Sequence, residues 1–556
     1  MLMLSAPTAA ATTTPVEQPL TSPATVVSVD CSKVLHTFDE RFASITHDIQ
    51  DFIGFNIAPW SFNWTDPTLT TLLGALAPFI VRAGGTWEDG IIWEGGPKPD
   101  EPPHLKSGME AHTLTEAAWR PFAQLMTTLE GAELVVGLGA LWRHWGGCNV
   151  TAANVCPNNI PWDSRNAAAF IRADRAAGHT PLGYELGNEP AVWNWTWGIP
   201  IVPPRQHAAD YAALRAVIAD AYPDVAVSDR PLVLGPDTTW GPIGDEQPGG
   251  GRGPVPGKGG PNYDYWNGTL QHNPDIDVAT FHYYGLQPGV VTSWKDFVKV
   301  ARDRTMCTAV AAHAADLASS PLAGRAALWL GEGGMTYGGF NRADDLGGDW
   351  LRLYGGGLSY LENLGCAASN GARVFMRQQL SNFINGTQLG QPPPHARGSG
   401  ETAHYSYSPQ PAWWVAVLWK RLVGTRALGV SVSVDDGPVH AFAFDGKAAG
   451  PTDAYSDAAA VSTVLVLTNW DADAQRVVVN GCPHDAQLYA LAPAGPIHGG
   501  GKIVADSVGI AVNGREARAG PGGAIPQGAL APTALRCEAG RIVLELAGLT
   551  GAFVAW

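Results

Sequence analysis

The sequence predicts an α/β chain: a (β/α)8 TIM barrel followed by a C-terminal all-β sandwich domain. Three observations carry this. From about residue 40 to 385, short apolar runs alternate with helix-like segments. That rhythm of strand and helical crossover joins parallel strands, and its many repeats fit a closed eightfold barrel. After about residue 425 the helical segments stop and apolar runs follow one another directly, as in a sandwich. At 556 residues the chain exceeds one average domain, and a large barrel with a smaller companion fits that length.

In chain order, residues 1–24 are Thr/Pro/Ala-rich and read as a disordered or signal-like N-terminus. They open with a short apolar stretch but lack the basic residues of a well-written signal peptide. "TVVSVD", Thr25 to Asp30, reads as a strand, and residues 25–40 are expected to join the β domain. Within the barrel, 41–425, "FIVRAGGT" precedes the helix-like "TEAAWRPFAQLMTTLE", and "AELVVGLGALW" precedes "SRNAAAFIRADRAAG". "PLGYELGNEP" then leads into "ADYAALRAVIADAY", and "PLVLGPD", "DVATFHYY", "AALWLGEGG" and "ARVFMRQ" supply the remaining strands. Residues 241–262 are Gly/Pro-rich and form an insertion on a βα loop. "WWVAVLWKRLVG", ending at Gly424, is a helix with a glycine stop. The β domain, 426–556, contains "HAFAFDG", "STVLVLTNW", "AQRVVVNG", "AQLYALAP" and "RIVLELAG".

Composition excludes several function classes. The chain has 35 basic and 51 acidic side chains, a net charge of −16, which argues against nucleic acid as a partner. No apolar run is long enough for a membrane span. Most of the 21 tryptophans are expected in the core, with sugar stacking a use for the rest. Asn-x-Thr sequons at Asn63, Asn149, Asn194, Asn267 and Asn385 are candidate N-glycan acceptors and favour a secreted, extracellular or lysosome-like enzyme. The seven cysteines form no metal-binding CxxC pattern. Cys148 with Cys156, or Cys482 with Cys537, could bridge, and the odd count leaves at least one thiol unpaired.

Barrel enzymes carry their chemistry on the loops after the strands. "LGYELGNEPAVW", Leu182 to Trp193, is an apolar run that stops at Pro190, leaving Glu189 at the strand mouth. "LWLGEGGMTYGGF" places Glu332 at a second strand end, about three βα units later. Either alone could be a solvated loop charge or a helix cap, the latter worth about 0.3–1 kcal/mol. Two carboxylates facing one cleft, after strands four and seven, are the equipment for glycoside hydrolysis.

The ordered set "WRHW", "DSRNAAAFI", "YELGNEP", "TFHYY", "LWLGEGGMTYGGF", "FMRQ" and "WWVAVLWKRLVGT" resembles glycoside hydrolase family 79, the heparanase and β-glucuronidase family. The likeness runs from about Thr25 to the C-terminus. It implies that Glu189 is the general acid/base and Glu332 the nucleophile of a retaining reaction. It implies that Asn188 bonds the sugar 2-hydroxyl and that Tyr283 holds the nucleophile carboxylate. Tyr337, Gly338 and Gly339 would receive the substrate's own carboxylate, and Asp48, Thr86 and Gln378 would line the glucuronide pocket. The first histidine of the family's "HHYY" run falls on Phe281 here.

The loops "GPDTTWGP" and "FHYYGLQPG" carry no Lys or Arg, and Trp240 and Pro242 stand where the family recognises sulfated sugar. Highly sulfated heparan is therefore not the expected substrate. The family's excised linker has no counterpart, which implies a single-chain enzyme. The expectation is a retaining β-glucuronidase acting, exo or endo, on a polysaccharide, proteoglycan or glucuronide, with an acidic, bell-shaped pH profile and no metal or organic cofactor. The alternatives are a related barrel glycosidase for neutral sugars, or a non-catalytic carbohydrate binder.

Overall fold

A computed structural model of the chain describes residues 24–53, 62–100, 105–144, 160–199, 201–240, 261–286, 294–336, 352–389, 404–434, 436–447, 461–481, 483–497 and 507–556. Eight parallel strands close into a barrel. In chain order they are Ala43–Asp48, Phe79–Gly84, Ala132–Leu138, Gly183–Leu186, Leu232–Trp240, Val278–Leu286, Ala327–Thr336 and Val374–Gln378. They are called strands one to eight below. Strand eight pairs with strand one at Phe375–Ala43 and Gln378–Thr46, which closes the ring.

The strands read as nearly continuous apolar runs because both of their faces are covered. Every residue of strand two is buried, and so is every residue of strand eight. Outer helices follow the strands and begin where the sequence supplies a start signal. Thr115 caps Glu116–Thr128 by accepting from the Ala118 N–H, and Pro204 opens Pro204–Ala221.

Two strands break their ladder beside the barrel mouth. Between strands five and six the register slips between Pro236 and Thr238, and between strands six and seven it slips between Leu330 and Glu332. An extra residue at such a bulge re-aims the neighbouring side chains. The bulges fall at Asp237 and immediately before Glu332.

The second domain is an eleven-stranded sheet, antiparallel except where Thr25–Thr37 runs parallel to Gln475–Asn480. The other neighbour of Thr25–Thr37 is Val423–Val432. The sheet folds over on itself, so Ile542 and Leu544 near one edge share a core with Leu465, Leu467 and Val554. The alternate residues Val464 and Val466 pack on the barrel side, which explains why Thr463–Asn469 is apolar on both faces. Two wholly buried stretches of helix, in Tyr354–Ser369 and Pro411–Leu422, lie between barrel and sheet.

The expected insertion at 241–262 falls mostly outside the described residues, and its last two residues belong to the helix Pro261–Gln271. The bridge present in the described residues was not expected. Cys307–Cys366 joins Thr305–Ala318 to Tyr354–Ser369. Cys148, Cys156 and Cys482 lie outside the described residues, while Cys537 is disulfide-bonded and Cys31 is a free, exposed thiol.

Glu362 is the polar centre of the domain contact. It is buried, and its carboxylate meets His440 Nδ1 at 2.8 Å, Thr468 Oγ1 at 2.6 Å and Trp470 Nε1 at 3.3 Å. Burial alone would raise this carboxyl, but His440 and Thr468 hold it below its ordinary value. Glu362→Ala strands these partners without solvent, so the expected loss is about 3–5 kcal/mol in denaturant unfolding. A loss below about 1 kcal/mol would show that the domains are held by apolar contact alone.

Candidate active site

The segment after strand four presents Asn188 and Glu189. Pro190 starts a short 3-10 turn, Pro190–Val192, so the chain leaves the strand sharply, and Glu189 takes φ 49°, ψ 51°. A non-glycine residue in this left-handed region stores roughly 1–3 kcal/mol and marks a place where function holds the backbone. The strain is carried by neighbours: the Glu189 N–H donates to the Asp237 carbonyl at 3.0 Å. Asp89 accepts from the Asn188 N–H at 3.2 Å and from Trp193 Nε1 at 2.9 Å.

Glu332 projects from strand seven and is 7% exposed. Three side chains from other strands converge on it. Arg82 Nη1 of strand two donates to Oε2 at 3.2 Å, the Tyr284 hydroxyl of strand six donates to Oε1, and His282 Nδ1 stands 3.9 Å from Oε2. His282 Nδ1 also lies 2.9 Å from Glu189 Oε1. One ligating atom each from Glu189, His282 and Glu332 falls within a mutual 4.8 Å. Among the described residues this is the one group of acidic and imidazole donors compact enough to hold a cation. An ion there would occupy the space between the two glutamates.

The tyrosine expectation requires correction. Tyr284, not Tyr283, reaches Glu332. Side chains alternate across a strand, so His282 and Tyr284 share the inner face while Phe281 and Tyr283 point to the helices. Phe281 stacks on His313 at 3.8 Å between ring centroids, and Tyr283 is hydrogen-bonded to Thr305. The role expected of Tyr283 therefore falls on Tyr284, one residue further along strand six.

Charge at the site is dominated by one cation. Arg82 is fully buried and meets Glu185, Asp237, Glu88 and Glu332. It also donates to Asn188 Oδ1 at 3.1 Å. One guanidinium cannot neutralise four carboxylates, so burial raises several of them toward their protonated forms. Burial raises Glu88 well above the ordinary range and Glu185 to about 7. Asp237 goes the other way: despite burial, Arg82 and His282 hold it below the usual carboxylate value. Burial would lower His282, but Asp237 and Glu332 raise it well above an ordinary imidazole. For Glu332, burial raises the carboxyl and the Glu189 charge adds to this. His282, Arg82 and Tyr284 oppose the rise without cancelling it.

Of the other expected residues, Asp48 and Gln378 end the adjacent strands one and eight. Gln378 Nε2 donates to Asp48 Oδ2 at 3.4 Å. Asp48 is buried, and its carboxyl is raised well above the ordinary value by burial and then by Glu332. Gly85, at φ 94°, leaves room for it, since a Cβ there would stand 2.7 Å from Asp48 Oδ1. Half-buried Thr86 opens the turn Thr86–Gly90 beside them. Tyr337, Gly338, Gly339 and Pro242 lie outside the described residues. The sequence reading missed Arg82, His282, Tyr284 and Asp237, although strict alternation along "FIVRAGG" and "TFHYY" marks the first three as inward-facing.

Residues 24–242 match the model of the glycosyl hydrolase family 79 N-terminal domain. Baicalin-β-D-glucuronidase from Scutellaria baicalensis is 23% identical over 438 residues, covering 73% of this chain and 72% of that one. Heparanase from Gallus gallus is 25% identical over 409 residues, 66% of this chain and 67% of its own. Among solved structures, a 4-O-α-L-rhamnosyl-β-D-glucuronidase from Fusarium oxysporum 12S superposes with a TM-score of 0.56 at 14% identity, covering 96% of this chain and 100% of that one. At that identity the likeness speaks for the fold.

Tyr284→Phe removes a donor to a buried carboxylate, worth about 1.5–3 kcal/mol, so hydrolysis of an aryl glycoside is expected to fall roughly 10- to 100-fold in kcat/KM. Tyr283→Phe is expected to stay near wild type. The opposite ranking of the two variants would reinstate Tyr283.

Proposed function

We propose that this chain, a glycoside hydrolase whose residues 24–242 match glycosyl hydrolase family 79, removes β-linked glucuronic acid with retention of anomeric configuration. The observation that carries this reading is the Glu189–Glu332 pair, with one oxygen of each within 4.8 Å. Retaining enzymes hold their carboxyl groups about 5–5.5 Å apart, whereas inverting enzymes leave room for a water between them. Glu332 attacks C1 while Glu189 protonates the departing oxygen, and Glu189 then draws a proton from the water that releases the sugar. Arg82 engages the Asn188 carbonyl, which turns the amide donor toward a sugar 2-hydroxyl. Asp48, Thr86 and Gln378 line the sugar pocket in this reading, and Tyr337, Gly338 and Gly339 receive its carboxylate.

The substrate is a weakly sulfated or unsulfated glucuronic acid polymer, proteoglycan or glucuronide. Arg82, the guanidinium that the described residues place inside the cleft, is committed to carboxylates of the protein. The strand-five and strand-six segments through Tyr284 carry no Lys or Arg. The reading includes a secretory route, for which Asn194 offers an exposed sequon. No helix among the described residues is long and apolar enough to cross a membrane.

A chromogenic β-glucuronide is expected to be cleaved and the matching β-glucoside not. Activity on the glucoside alone would replace this reading with a neutral-sugar glycosidase. If neither aryl glycoside reacts, a size shift of a glucuronic acid polymer is expected, and its absence would leave the protein a binder. Glu332→Gln is expected to cost at least about 10²-fold in kcat, and proton NMR of wild-type hydrolysis should show the β-anomer first. Initial release of the α-anomer would overturn the double displacement.

The pH profile of kcat/KM should be bell-shaped. Glu332 must be ionised to attack, and its carboxyl lies above the ordinary 4.5, so activity rises with pH through a limb displaced above that value. Activity falls again as the proton held between Glu189 and His282 is lost. A profile flat from about pH 4 to 8 with chemistry limiting would contradict the assignment.

A further inference from the structure

We propose that Asp237 is the positioning residue that sets the two catalytic glutamates against one another, acting on Glu332 through Arg82 and on Glu189 through His282. The inference rests on the roles assigned above to Glu189 and Glu332 and adds a residue that those roles do not require.

Asp237 sits on the strand-five bulge with φ 52° and is fully buried. Four contacts hold it. Its Oδ2 accepts from Arg82 Nη2, and its Oδ1 lies 2.7 Å from His282 Nε2. Its own N–H donates to Thr280 Oγ1 at 3.2 Å, and its carbonyl accepts the Glu189 N–H at 3.0 Å. Each side-chain partner reaches onward to a catalytic carboxylate. Arg82 donates to Glu332 at 3.2 Å, and His282 Nδ1 is 2.9 Å from Glu189 Oε1. The backbone link to Glu189 joins two left-handed residues, neither of them glycine, so each holds the other in its strained conformation. Strand seven, on the far side of strand six, leaves room for the carboxylate: a Cβ at Gly331 would stand 2.9 Å from Asp237 Oδ1.

The position is chemically specific. A carboxylate on Nε2 fixes the imidazole with Nε2–H toward Asp237 and Nδ1 toward Glu189. One proton is then shared across the Nδ1–Oε1 contact, and the Asp237 charge favours its retention. The groups facing His282 are Asp237 from strand five, Glu189 after strand four, and Glu332 from strand seven, with Glu185 and Arg82 next to Asp237. Glu88 and Glu185 also meet Arg82, but burial raises both, whereas Asp237 stays below the usual range.

The test compares Asp237→Asn with wild type on phenyl β-glucuronide, a poor leaving group that needs protonation, and on 2,4-dinitrophenyl β-glucuronide, which does not. Folding is monitored by thermal melting. The expected result is a loss of roughly 10²-fold in kcat/KM on the phenyl substrate, a much smaller loss on the dinitrophenyl substrate, and a basic limb moved to lower pH. An equal loss on both substrates with an unmoved limb would reduce Asp237 to a structural residue and overturn the proposal. Should Asp237→Asn fail to fold, His282→Gln cuts the same link on its Glu189 side. It is expected to show the same dependence on leaving group, and an equal loss on both substrates would again overturn the proposal. Wild-type enzyme inert toward both glucuronides would instead refute the function proposed above.

Discussion

The site depends on one desolvated cation. Arg82 has no solvent to screen it, and it is ringed by carboxylates from three other strands and from the turn after its own. Stripping a guanidinium of water is costly, and only close, well-aligned anions repay it. Deleting such a partner costs about 3–5 kcal/mol because the remaining charge is left unpaired. The ring therefore fixes side chains as strictly as backbone ladders do. The consequence for chemistry is that Glu332 lies in a field set by the whole ring, and the ionisation of its carboxyl reflects the balance of His282 and Arg82 against burial and Glu189.

The barrel supplies that ring through small departures from regularity. A perfect parallel ladder would send consecutive side chains alternately inward and outward. Bulges beside Asp237 and Glu332 let strands five and seven present acidic groups where alternation alone would not. The left-handed turn at Glu189 does the same after strand four. These are costly conformations, and they cluster around the cleft, as expected where strain serves function.

Much of this was legible from the sequence. The alternation of apolar runs with helix-like segments gave the barrel, and the loss of helices after Gly424 gave the β domain. Two glutamates marked the cleft, Glu189 where strand four stops before a proline and Glu332 expected at a second strand end, although strand seven runs on through its glycines to Thr336. What stayed hidden was either a matter of phase or of distance. Tyr283 and Tyr284 are neighbours of identical chemistry, and only the parity of strand six tells which faces inward. Asp237 lies in a plain "GPD" turn whose bulge has no composition of its own. Arg82 in "FIVRAGG" looks like a lone charge in an apolar strand, and its partners come from segments scattered between residues 88 and 332. The Cys307–Cys366 bridge was equally invisible, since helix packing and not spacing brings those sulfurs together.

The strand Thr25–Thr37 bears on how the molecule is made. Val26 donates to Ser433, 407 residues later, and the strand is completed on both sides by segments that follow the barrel. During synthesis the earliest strand must therefore wait, unzipped and sticky, until nearly the whole catalytic half has emerged. Contacts of such long range slow assembly and expose unpaired edges to other chains. The barrel is in effect inserted within its companion, and a chain cut short before Val423 would lack both neighbours of that strand.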